Sequence, residues 1–186
     1  NNMKKIILAL CALSTTHVFA EKQDGILTFN GSIYNATCAI DINNNGGSTQ
    51  GSVDMGRHPT SAFPEEGSEA GGTGGNGDIK IKLADCPTNG TLEVRFDGTL
   101  VSGTRDVLRL DNPGSASTAG GIGIILLDED DDRIDLDGSI AIKKRVTDSK
   151  NYTYEMKAKY YRYTDDDREL KAGDANSTVN FSIEYN

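Results

Sequence analysis

The chain has 186 residues, 28 of them acidic and 19 basic, for a formal net charge of −9. That balance argues against nucleic acid and anionic membrane surfaces as partners. The length suits one domain with a sizeable core rather than several.

Residues 1–20 read as a secretory leader. Lys4 and Lys5 form a basic start, IILALCAL is an apolar stretch too short to cross a bilayer, and Val18, Phe19 and Ala20 form a small-residue cleavage site. Cleavage is expected between Ala20 and Glu21. Asn1 and Asn2 precede Met3 and stand outside that pattern. Cys11 is not read as a lipid-attachment cysteine, because Leu10 stands where such a site needs a small residue. Without the leader, 166 residues remain, and the loss of Lys4 and Lys5 takes the formal net charge from −9 to −11. No later segment is apolar enough to span a membrane.

The next stretch, GILTFNGSIYNATCAI (residues 25–40), alternates like a strand but changes phase. Leu27, Phe29 and Ile33 share one parity, with Gly31 between them. Tyr34, Ala36, Cys38 and Ile40 share the other. Successive side chains of a strand point to opposite faces, so one flat strand cannot bury both sets on one side. Cys38 and Cys86 are the two cysteines beyond the leader, and an exported chain with two cysteines most simply forms one disulfide. A reactive or metal-binding thiol pair is the alternative, disfavoured by the acidic surroundings and the lack of partner histidines.

Period-two patterning continues along the chain. Ile79, Ile81 and Leu83 alternate with Lys80, Lys82 and Ala84, and Leu92, Val94 and Phe96 alternate with Glu93 and Arg95. Leu108 and Leu110 flank Arg109, GIGIILLDED reads as a more fully buried strand, and Ile134 and Leu136 alternate with Asp135 and Asp137. Tyr152, Tyr154, Met156, Ala158 and Tyr160 follow, and Val179, Phe181, Ile183 and Tyr185 close the chain on one parity. Short strands separated by Gly, Asn, Asp and Ser clusters predict an antiparallel all-β sandwich or barrel. Only SAFPEEGSEA could hold a helical turn.

Several motifs invite chemistry and fail on context. GTGGNG (residues 72–77) matches a dinucleotide loop in letters, but a strand pattern follows it where a helix is needed. In DEDDDRIDLDG (residues 128–138), placing Gly138 at the sixth position of a calcium loop puts Arg133 first and Lys144 twelfth, so both ligand positions fail. A solvated acidic hairpin is expected there, and a similar solvated run at Asp165–Asp167. His58, the one histidine outside the leader, lies in a polar loop beside Pro59 with no nucleophile signature, and is expected at the surface. Asn35, Asn89, Asn151 and Asn176 fall in sequon-like triplets and are read as turn and strand residues. No catalytic, metal or cofactor site is expected.

Four features in order resemble type 1-like fimbrial (pilus) subunits of the chaperone–usher pathway. They are LTFNGSIYNATCAI, IKIKLADCP, the central VLRLDN with GIGIILLDED and RIDLDG, and KAGDANSTVNFSIEYN with its penultimate Tyr185. The resemblance implies an immunoglobulin-like β-sandwich that lacks its final strand. Residues 1–20 would be the leader, 21–33 a donor extension and 34–186 the pilin domain. Leu27, Phe29, Gly31 and Ile33 would be donated to another copy or a related pilin, with Gly31 passing a shallow part of the receiving groove. Cys38 and Cys86 would tie the first strand to its neighbour. Val179, Phe181, Ile183 and Tyr185 would line the groove edge and pair with a periplasmic chaperone, before an outer-membrane usher exchanges chaperone for subunit. The chain would then be a structural, non-enzymatic subunit of a surface fimbria supporting adhesion, and a major pilin before a minor adaptor or terminator. A monomeric secreted β-sandwich that binds a ligand is the alternative class.

Overall fold

The computed structural model describes residues 38–86, 89–147 and 150–186. The described residues form β1 (Ala39–Ile42), β2 (Glu69–Ala70), β3 (Asp78–Ala84), β4 (Gly90–Gly98), β5 (Ile122–Leu127), β6 (Ile142–Val146), β7 (Tyr152–Arg162) and β8 (Val179–Tyr185). A single 3-10 turn, Thr60–Ala62, precedes β2. The expected leader, its Ala20–Glu21 junction and the proposed donor residues Leu27, Phe29, Gly31 and Ile33 lie outside the described residues, as do Tyr34 and Ala36.

Two antiparallel sheets face each other. In one, β7 carries β3 and then β2 along one edge and β5 along the other, and β1 pairs with β3. In the other, β4 lies between β6 and β8. The period-two stripes meet between them: Ile81, Leu83, Leu92, Val94, Tyr154 and Met156 are buried in one core. The Tyr154 hydroxyl crosses that core to donate to the Leu92 carbonyl at 3.3 Å, and burial, helped by Glu129, pushes its pKa up to about 12.

The unbroken apolar run of β5 has a separate cause. Every residue of it is buried. Ile122, Ile124 and Leu126 face the main core, while Ile125 and Leu127 pack with Val107 in a second cluster, joined by Val101, Tyr161 and Tyr163. The chain before β5 folds over its outer face, so the strand is covered on both sides.

Some expected strands are looser than their patterns. Leu108, Leu110, Ile134 and Leu136 are buried, as the alternation requires. Their segments pair only through isolated bridges such as Leu108↔Ile124 and Leu127↔Arg133. Conversely, β6 (IKKRV) has too little apolar alternation to be read from sequence; it is an edge strand whose Lys143 and Arg145 face water, while Lys144 donates to the Thr153 carbonyl.

The acidic run serves local turns and pairs. The Asp128 carboxylate accepts from the backbone N–H of Asp130 and of Asp132, each at 2.9 Å. Asp135 and Asp137 pair with Arg105. The Ser139 hydroxyl and backbone N–H, with Arg105 adding to them, hold the Asp137 carboxyl at about 2. The glycine-rich loop turns directly into β3. Gly77 has φ +80°, and a Cβ there would sit 2.2 Å from the Ala158 carbonyl oxygen. Its N–H donates to Asp54 and its carbonyl accepts from Ala158. The glycine therefore stitches the chain after β1 onto β7.

Candidate functional site

β8 is bonded along one edge only. It pairs with β4 from Leu92↔Tyr185 to Gly98↔Val179, and no described residue pairs with its other edge. Asn180, Ser182 and Glu184 point to solvent, while Val179, Phe181, Ile183 and Tyr185 are half-buried against the core. The Phe181 ring lies 6.4 Å from that of Phe96, and the Tyr185 hydroxyl donates to the Asn89 carbonyl at 2.7 Å. An edge with unsatisfied backbone groups and an apolar inner face is a template for another strand.

Beside this edge runs a groove. One wall is the chain after β1, residues 51–60; the other is the chain that leads into β8, residues 170–179. The floor reaches core residues Ile79, Leu108, Ile124 and Leu126. The groove consists of two cavities, of about 490 Å³ near Val53, Met55 and Val179 and about 580 Å³ near Phe63, Ile122 and Leu170. They share Gly56, Tyr160, Ala175 and Asn176, which form a waist between them.

Hydrogen bonds fix the walls at that waist. The Tyr160 hydroxyl donates to the Ala175 carbonyl at 2.9 Å, holding the approach to β8 against β7. Burial, aided by the nearby Asp54 charge, raises the Tyr160 pKa, so the phenol keeps the proton this bond needs. On the opposite wall, His58 Nε2 lies 2.9 Å from the Met55 carbonyl, and its ring meets the Tyr160 ring edge-on at 5.7 Å. His58 is thus half-buried in the groove wall, not a free surface histidine: the Gly56 turn folds its ring back onto Tyr160. At the far end, Arg162 is 1% exposed and donates to the carbonyls of Phe63 and Thr164 and to the Asp167 carboxylate. One buried guanidinium therefore ties the chain at Phe63 to the loop after β7, at the end of the 580 Å³ cavity.

Cys38 and Cys86 form a disulfide that joins the start of β1 to the chain just after β3, with their Cα atoms 4.3 Å apart. This settles the choice left open by sequence in favour of the structural bond. Val53, Met55, His58 and Tyr160 line the groove, and Arg162 braces the chain at its end, although sequence reading gave them no role in it. Only the short V-D-M alternation at 53–55 hinted at a strand-like wall.

Among the described residues, the sandwich leaves the outer edge of its last strand unpaired beside a groove that opens onto the core. The chain belongs to the fimbrial protein family, whose profile matches residues 27–186. It is 33% identical to a type-1 fimbrial protein subunit of Serratia marcescens, over 98% of this chain and 99% of that protein. Identity to a type-1 fimbrial protein A chain of Escherichia coli K12 is 28%, over 97% and 95% of the two chains. In fold it resembles the P pilus rod subunit PapA, with a TM-score of 0.62 at 19% identity over 81% of this chain and 100% of that one. A chain from a chaperone–usher pilus aligns with a TM-score of 0.64 at 21% identity, over 88% and 96%. The protein is therefore a fimbrial subunit exported to the cell surface, in a family of structural subunits rather than enzymes.

Proposed function

We propose that the chain is a shaft subunit that polymerises head to tail by donating residues 21–33 to the groove of another copy. The observation that carries this reading is the unpaired edge of β8 beside a groove that opens onto the core. Leu27, Phe29 and Ile33 supply apolar side chains on either side of Gly31, matching two cavities separated by a waist. Gly31 would pass Tyr160 and Ala175, where no room for a side chain is expected. Burial of Leu27, Phe29 and Ile33 would contribute roughly 1.5–3 kcal/mol each, offset in part by ordering the extension. Backbone pairing along β8 adds to this. A contact of this kind does not close on itself, so it propagates as a filament.

Before assembly the same edge must be covered, because an open apolar groove invites aggregation. A periplasmic chaperone pairing with Val179, Phe181, Ile183 and Tyr185, and an usher that exchanges it for the next subunit, fit that requirement. Deleting residues 21–33 tests the assignment. The truncated chain should still form a soluble chaperone complex yet fail to be donated to another copy. A truncated chain that is a stable, soluble monomer without any chaperone would sink the open-groove reading and favour a secreted, self-sufficient sandwich.

A further inference from the structure

We propose that Arg95 is a positioning residue for strand acceptance: its guanidinium clamps Glu93 of β4 to Glu184 of β8 and so holds the unpaired edge of β8 in register. This role presupposes the strand acceptance proposed above and names what keeps the edge ready for it.

The register sets a problem that the arginine solves. Leu92, Val94 and Phe96 face the core, so Glu93 and Arg95 project together from the far side of the sheet. Glu93 stands directly opposite Glu184, and Arg95 opposite Ser182. Two carboxylates facing each other across neighbouring strands repel. Arg95 donates from Nη2 to Glu93 at 2.7 Å and from Nη1 to Glu184 at 3.0 Å, so one planar cation answers both acids. From the other flank, Lys143 on β6 meets the second oxygen of Glu93 at 3.0 Å. Charges therefore alternate across all three strands of the smaller sheet, through Lys143, Glu93, Arg95 and Glu184. The Glu93 side chain is only 11% exposed among these partners. Lys143 first, then Arg95, hold its carboxyl below the usual carboxylate range, outweighing the opposing effect of burial.

An isolated, fully hydrated ion pair does little for a fold. This one differs because Glu93 is screened from water and because β8 has few other ties on that face. Of its outward side chains Asn180, Ser182 and Glu184, only Glu184 is bonded to a described residue. The inward side chains Val179, Phe181, Ile183 and Tyr185 stay half-buried beside the groove. An incoming strand pairs with backbone groups that must keep a regular spacing. The clamp holds that spacing from the far face while only one edge of β8 is bonded. An inserted strand bonds the second edge, and the clamp then becomes dispensable.

Full-length Arg95→Gln, Arg95→Lys, Glu184→Gln and the double variant Arg95→Gln/Glu184→Gln test this. Each is dissociated by heat, refolded and followed as it reassembles, with amide hydrogen exchange read by mass spectrometry. Arg95→Gln leaves the two carboxylates facing each other. Exchange across residues 179–186 should quicken about tenfold, with β3 and β7 unchanged, and multimers should form about fivefold more slowly. Arg95→Lys, which lacks the planar fork, should fall between. Glu184→Gln alone, and the double variant, should lie within about twofold of wild type, because the repulsion is gone. The temperature at which formed multimers dissociate should match wild type in every case, whereas a general stabilising contact would lower it. The clamp would be overturned by wild-type exchange and assembly in Arg95→Gln, by equally quickened exchange in β3 and β7, by failure of Glu184→Gln to rescue, or by a lowered dissociation temperature. If Arg95→Gln does not fold, recovery of folding and assembly in the double variant supports the clamp and its absence overturns it. A wild-type chain that forms no multimers would overturn strand donation instead, and exchange across residues 179–186 would still decide the clamp.

Discussion

Gly31→Trp is expected to stop a subunit from being donated while leaving its domain folded and able to accept. In the proposed register, Gly31 crosses the waist of the groove, where the Tyr160 hydroxyl bonds Ala175 and His58 packs on the same ring. Those groups are tied to both walls, so an indole cannot push them aside cheaply. Overpacking costs ~1–3 kcal/mol at one site, and displacing the flanking Leu27 and Phe29 from their cavities adds to that. Filament yield should fall roughly 10- to 100-fold, measured by electron microscopy and immunoblot. Binding of the chaperone to the variant should be unchanged, because the chaperone covers the groove and not the extension. Filaments in normal number would refute the donor assignment of residues 21–33.

Replacing Cys38 and Cys86 together by serine should have the second largest effect. The bond closes a loop with a sequence separation of 48, worth about 4 kcal/mol on chain-entropy grounds. It matters more here because β1 is only four residues long, held to β3 from Ala39↔Ala84 to Ile42↔Ile81. The chain after β1 forms one wall of the groove, so loosening β1 also loosens the acceptor site. Thermal unfolding of the assembled protein, followed by circular dichroism, should show a Tm lower by about 8–16 °C. An unchanged Tm would mean that β1 is held in place by something other than the disulfide.

Much of the fold is legible in the sequence because its signal is local. Ile79, Ile81 and Leu83 alternate because β3 has one face on the core, and GIGIILL runs apolar because β5 is covered on both sides. The alternation of Val179, Phe181, Ile183 and Tyr185 gives the strand and its inward face, but not its partners. That β8 is bonded along one edge depends on where β4 and the chain after β1 end up, which no local pattern encodes. The groove wall is hidden for the same reason. His58 reads as a surface residue beside Pro59, and only the Gly56 turn brings its ring to Tyr160, about one hundred positions further on. Arg162 reads as an ordinary charge at a strand end; its burial follows from Phe63 and Asp167 arriving around it. β6 escapes notice because an edge strand with two solvent-facing cations carries no hydrophobic period.

The phase change between Ile33 and Tyr34 is consistent with a chain that serves two domains. Cys38, Ile40 and Ile42 continue the second parity into the chain's own core. The first parity would be completed by the groove of another copy.

The central claim, that copies are joined by an inserted strand, is tested most directly by electrophoresis of the purified protein in SDS with and without boiling. A non-covalent strand buried between two sheets should survive detergent at room temperature and be released by heat. The expected result is a ladder of multimers that collapses to a single monomer band on boiling, and that is absent when residues 21–33 are deleted. A monomer band alone before boiling, or a ladder that persists without residues 21–33, would contradict it.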